Sequence, residues 1–159
     1  SLLSYGKWKD ITQHELDFST LHLNLMYFLP LNQKNTVQMR LNLQQSFNDN
    51  TPSSSQFSAA GYYATRGYDE GAFSSLSGSN FNLDYIYALN PTLSIKLFSD
   101  LGWMDISGDK LLMSVGTELE WQPIRKTNFA LQFATPLIRE VNDTKADAYT
   151  VHFKLYQHF

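Results

Sequence analysis

Tyr149, Val151, Phe153, Leu155 and Phe159 share one parity, while Thr150, His152, Lys154 and His158 share the other, with Gln157 out of step. Alternation of this kind is the period of a β-strand with one apolar and one wet face. The same reading sets Leu111, Met113, Val115, Leu119 and Trp121 against Ser114, Gly116, Glu118 and Glu120. It sets Phe129, Leu131, Phe133 and Leu137 against Asn128, Gln132 and Ala134. Upstream, Val37, Met39, Leu41, Leu43 and Phe47 oppose Gln38, Arg40, Asn42 and Gln44; Phe81, Leu83, Tyr85, Tyr87 and Leu89 oppose Asn82 and Asp84; Leu93, Ile95, Leu97, Leu101 and Trp103 oppose Ser94, Lys96 and Asp100. The stretch from His14 to Leu29 alternates too, and a parity change between Phe18 and Leu21 predicts a bulge. Six segments are clear after residue 11, and "SLLSYGKW" adds the tail of another, about seven strands in all.

The wet face separates the two architectures open to such a pattern. A soluble sandwich or barrel points its charges at bulk water. Here the polar face is mostly Asn, Gln, Ser, Thr and Gly, and charged residues make up 17% of the chain, against roughly 25% in soluble domains. The strands run to about 10 residues or more, enough to cross a bilayer at a tilt. Tyr27, Tyr87, Trp103 and Trp121 stand near strand ends, as an aromatic girdle requires. These features predict an all-β, antiparallel transmembrane β-barrel with its apolar faces in the lipid of an outer membrane and its polar faces on a hydrated lumen.

Other chemistry finds little support. A net charge of −3 and a pI near 5.7 give no basic footprint for nucleic acid. The absence of cysteine excludes a disulfide framework, a thiolate metal site and a cysteine nucleophile. The four histidines are scattered, and His152 and His158, though on one face, stand about 20 Å apart at strand rise, so neither a metal nor a cofactor is expected. Glu118 and Glu120 share a lumen face but read as hydrated lining rather than a catalytic pair, and no enzymatic activity is expected. "SSLSGS" lacks the lysine and the strand-to-helix setting of a phosphate loop.

Short connections at 29–36, 89–92 and 122–127 alternate with longer ones at 48–79, 104–110 and 138–147, which places the short turns on the periplasmic side and the long loops outside. Bacterial barrels close with an even number of strands, from about 8 upward, and an open edge in lipid is costly. With Ser as first residue and no leader-like segment, residues 1–159 are therefore expected to be the C-terminal part of a larger barrel.

One segment does not fit a simple connection. "YYATRGYDEGAFS", residues 62–74, places an arginine between Thr65 and Gly67, then an aromatic, two acids and another glycine. Extended as "TRGYDEGAFSSLSG", it resembles the signature of the sixth extracellular loop in the two-partner secretion transporters (the TpsB family), relatives of the barrel-assembly protein BamA, whose core is V-R-G-F/Y. A second motif of that family, F-x-D-x-G, is matched by Phe98, Asp100 and Gly102 in "FSDLG". The order of the elements is similar as well, and covers nearly the whole chain. Thr65 departs from the usual Val, and Ser79 stands where relatives often carry Asp.

The resemblance implies a barrel of about sixteen strands, preceded by periplasmic POTRA domains that have no counterpart in this sequence, which passes a large unfolded exoprotein outward. It also implies that the 48–79 loop folds into the lumen. By parity Asp100 faces the lumen with Ser94, Lys96 and Gly102, so a descending loop would bring Arg66 to it, with Gly67 permitting close approach and Tyr68 packing on the wall. The expected partners are an exoprotein cargo, outer-membrane lipid and the barrel-assembly machinery. The last would recognise the aromatic-ended strand carrying Val151, Phe153, Leu155 and Phe159. An insertase of the BamA type and a non-transporting structural barrel are the alternatives.

Overall fold

In the computed structural model, residues 2–9, 15–49, 51–105, 109–124, 127–141 and 144–157 are described, with side chains from Phe18 onward except those of Asp109 and Thr144. In chain order the strands are β1 (Leu2–Lys9), β2 (Glu15–Pro30), β3 (Asn35–Ser46), β4 (Phe57–Ser58), β5 (Ser74–Ser75), β6 (Gly78–Asn90), β7 (Leu93–Asp105), β8 (Asp109–Ile124), β9 (Thr127–Pro136), β10 (Glu140–Val141), β11 (Thr144–Lys145) and β12 (Thr150–Gln157). Eight of them form one antiparallel sheet in the order β1-β2-β3-β6-β7-β8-β9-β12, one strand more than the alternation predicts. Chain neighbours pair throughout, as in a barrel wall, and β1 and β12 are its two outer strands. β4–β5 and β10–β11 are small ribbons in the connections at one end of the wall.

Side-chain exposure follows parity. In β6, Phe81, Leu83, Tyr85 and Tyr87 point outward and are exposed, while Asn80, Asn82 and Asp84 are buried on the inner face. Outward residues of β7, β8, β9 and β12, among them Leu101, Leu119, Leu131, Phe133, Val151, Phe153 and Leu155, continue one exposed apolar belt. Such a belt is unstable against water and natural against hydrocarbon. Trp121 stacks on Phe129 near one rim and Tyr149 on Phe133 near the other.

Two local expectations are corrected. No bulge interrupts β2: its register runs unbroken from Glu15 to Pro30, so Phe18 lies on the inner face with Thr20. Register shifts occur instead at Ala88/Asn90 and Trp121/Ile124, beside short turns. The 104–110 connection is also not long, since Asp105 pairs with Asp109.

The core is inside the wall. Residues between β3 and β6 fold onto the inner face, where Phe57, Ala59, Ala60, Tyr68 and Phe73 pack on Met104, Leu112 and Val141. Met104 and Leu112 stand at positions of polar parity, and the apolar root of the loop is the reason they are apolar.

Candidate functional site

The site is built on three adjacent strands. The β6–β7 hairpin sets Asn80 opposite Gly102, Asn82 opposite Asp100 and Asp84 opposite Phe98; the β7–β8 hairpin then sets Asp100 opposite Ser114 and Phe98 opposite Gly116. All these positions share the inner face, so the F-x-D-x-G strand is flanked by an N-x-N-x-D series and by Ser114.

The loop crosses this patch one residue per strand. Thr65, fully buried, donates its hydroxyl to the Asn80 side-chain oxygen at 3.2 Å. A Cβ at Gly102 would collide with that hydroxyl, which accounts for glycine there. Arg66 follows, 4% exposed, and it binds Asp100 through both backbone and side chain. Its backbone N–H and Nε donate to Oδ2 at 2.9 and 2.8 Å, and Nη2 donates to Oδ1 at 2.7 Å. Nη2 also reaches Asp84 Oδ1 at 2.6 Å. The guanidinium carbon lies 3.6 Å from the centroid of the Phe98 ring, which covers one face of the cation. Asn82 donates to Asp100 Oδ1 at 2.8 Å and to the Ala64 carbonyl at 2.6 Å, tying wall to loop from the other side.

Gly67 adopts φ +92°, and a Cβ on it would stand 3.2 to 3.3 Å from Pro136 N, Ser114 Cβ and the Thr135 carbonyl carbon. Glycine is needed both for the left-handed backbone and for the close approach. Tyr68 then ends the crossing: its hydroxyl donates to the Ile138 carbonyl at 2.7 Å and accepts from the Met113 N–H at 3.2 Å. Its ring meets Phe73 edge to face.

The electrostatics follow from the donor set. Burial alone lowers the proton affinity of Arg66, but hydrogen bonding to Asp100 and the charges of Asp100 and Asp84 more than offset this and hold it above the ordinary arginine value. Burial raises the Tyr68 phenol, against the opposing hydrogen bonds to Met113 and Ile138. One buried arginine serves two buried carboxylates, and a planar fork suits that geometry where an ammonium does not.

Every residue expected on the lumen side of this contact is brought together: Arg66, Gly67, Tyr68, Phe98, Asp100 and Gly102. Sequence reasoning missed Asp84, Asn82, Asn80 and Ser114. The signal was present only in part: parity puts Asn82 and Asp84 on the polar face, but the register shift at Ala88/Asn90 moves the pairing of "SNFNLD" with "FSDLG" one residue from what the turn at Pro91 and Thr92 alone would set. Glu118 and Glu120 are joined by Lys96, whose Nζ donates to them at 2.9 and 2.5 Å, so a salt-bridged lining describes them. Val151, Phe153 and Leu155 lie exposed on the outer face of β12, while Phe159 is outside the described residues.

The family model described as "Haemolysin secretion/activation protein ShlB/FhaC/HecB" matches residues 6–121, which include both the loop and the strands that receive it. The chain belongs to this family. No curated protein matches it. Membership makes the sheet part of the β-barrel wall of a two-partner secretion transporter, in a family that secretes or activates exoproteins at the outer membrane.

Proposed function

We propose that residues 1–159 are the C-terminal part of a transmembrane β-barrel in the bacterial outer membrane, and that this barrel is the pore through which a large partner exoprotein is secreted. The 48–79 loop is extracellular in origin, folds into the lumen and is latched there by Arg66 on Asp100. Gly67, Tyr68, Phe98 and Gly102 shape the latch. The protein performs no catalysis: the amide- and hydroxyl-rich inner face offers an extended chain hydrogen bonds without gripping it, and folding of the exoprotein outside supplies direction. Val151, Phe153, Leu155 and Phe159 form the signal read by the barrel-assembly machinery, and lipid covers the outer belt. Family membership favours secretion over the insertase and structural-barrel alternatives.

The observation that carries the reading is the burial of Arg66 on Asp100 across 34 residues of sequence. A double-mutant cycle on exoprotein secretion by the full-length transporter tests it. With Arg66→Ala and Asp100→Ala each impaired, the second substitution is expected to cost much less than the first, and Arg66→Lys to rescue only in part. Additive losses, or single variants that secrete fully, overturn the latch.

A further inference from the structure

The loop has a second contact with the wall, of different chemistry. Just before Thr65 the chain turns through Gly61–Ala64, where the Tyr62 N–H donates to a Glu70 carboxylate oxygen at 3.0 Å. The tip carries Tyr62 and Tyr63 past β9 to the outermost strand. The Tyr62 hydroxyl donates to Glu118 Oε2 on β8 at 2.8 Å, while Lys154 of β12 stands with its Nζ 3.0 Å from the Tyr62 ring centroid and 3.9 Å from that of Tyr63. The Tyr63 hydroxyl meets that of Tyr156 at 2.9 Å. Tyr156 pairs with Asn128 at the short-turn end of β9, so the tip descends nearly the whole height of the wall.

The two contacts differ in how readily they part. Around Arg66 both carboxylates are buried and every hydrogen bond is charge-assisted. At the tip a single charge-assisted bond, from Tyr62 to Glu118, is joined by one hydroxyl pair between Tyr63, 58% exposed, and Tyr156, 39% exposed. Beneath the tip the floor is polar: among the described residues neither amide end of the fully buried Gln132, nor His152 Nε2, has a hydrogen-bond partner. Beside the tip lies a cavity of about 200 Å³, lined by Gln38, Arg40, Asp84, Lys96, Glu118 and Tyr156, into which it can move.

We propose that Tyr62 and Tyr63 form a releasable clasp on β12 while Arg66 stays fixed, so that the passage is opened by the tip alone rather than by expulsion of the whole loop. This rests on the reading of the chain as part of a secretion pore. Tyr62 and Tyr63 are positioning residues: they hold the tip across the lumen until an exoprotein segment displaces it.

The test uses the full-length transporter in cells, with Tyr63→Cys and Tyr156→Cys introduced together. This chain has no cysteine, and any elsewhere in the protein is replaced by serine. A bis-maleimide with a reducible spacer, long enough to stand in for the two phenol rings, is expected to link the pair but neither single variant. Linking should lower exoprotein secretion at least about tenfold, and cleaving the spacer should restore it. A second pair, Tyr62→Cys with Lys154→Cys, guards against a folding defect, and heat-modifiable migration reports folding of both. No link in either folded pair overturns the clasp and leaves the Arg66 latch standing. A link that leaves secretion unchanged overturns release. If the unsubstituted full-length protein itself secretes no exoprotein, the pore reading is overturned and, through it, the role of the clasp.

Discussion

The inner face of β6–β9 and the inner face of β2–β3 are built on the same two-residue period, yet they meet different fates. Under the loop, Asn82, Asp100, Ser114 and Gln132 are sealed from solvent. At the short-turn end of β2, where no loop lies, Met26 and Phe28 stand on the inner face and are 55% and 54% exposed. The covered region thus buries polar and charged side chains, and the open region exposes apolar ones, the reverse of an ordinary soluble core. Alternation tells which way a side chain points; what it meets there is decided by the chain that folds over it. A polar group under the loop is tolerated because a loop atom satisfies it, so its energetic weight depends on a partner distant in sequence.

Five substitutions break or sharpen that contrast. The largest effect is expected for Arg66→Ala, which leaves Asp100 and Asp84 facing each other without a cation: a loss of about 3 to 5 kcal/mol in the folded barrel, seen as a lower urea midpoint in lipid vesicles. Asp100→Ala should cost less than Arg66→Ala, since Asp84 still holds the guanidinium; equal losses would reduce the site to a simple pair. Next, Leu131→Arg places a charge in the middle of the lipid belt and should cost about 2 to 4 kcal/mol by the same assay, whereas a negligible change would deny the outer face its lipid. Asn82→Ala removes the donor shared by Asp100 and the Ala64 carbonyl and should cost about 1 to 3 kcal/mol, with secretion falling in parallel. The smallest effect is expected for Met26→Gln, within about 0.5 kcal/mol, because nothing covers that position. A large loss there would mean that the open region is covered in the intact barrel.

Much of the wall was legible because its determinant is local. Parity alone assigned Leu131, Phe133, Val151 and Phe153 to the outer face and Asp100 to the inner, and the exposures agree. Phe18 misled it: an apolar side chain on a polar face was read as a bulge, although the strand runs straight and the residue simply points inward. Met104 and Leu112 were opaque for the same reason, since their apolar partners arrive with the loop. At the site, motif resemblance supplied Arg66 and Asp100, but it marks single strands and is silent about their neighbours. Asp84 needed the hairpin register, and Tyr63 with Tyr156 needed the reach of the tip across β9, which no periodicity encodes.

The placement of Arg66 also bears on the order in which the molecule acquires its shape. Asp84, Asp100, Ser114 and Pro136, the residues that receive Arg66 and Gly67, all come later in the chain than the segment they hold. When the loop first emerges, the surface that will bind it has not yet been made, and only the β6–β7, β7–β8 and β8–β9 pairings create it. Contacts so far apart in sequence carry a loop-closure cost before they give any return, so they belong to the late phase of folding. The arginine therefore cannot guide the early hairpins; it registers that they have paired correctly, because a slip of one residue in the β6–β7 or β7–β8 pairing would turn the receiving carboxylates out toward lipid.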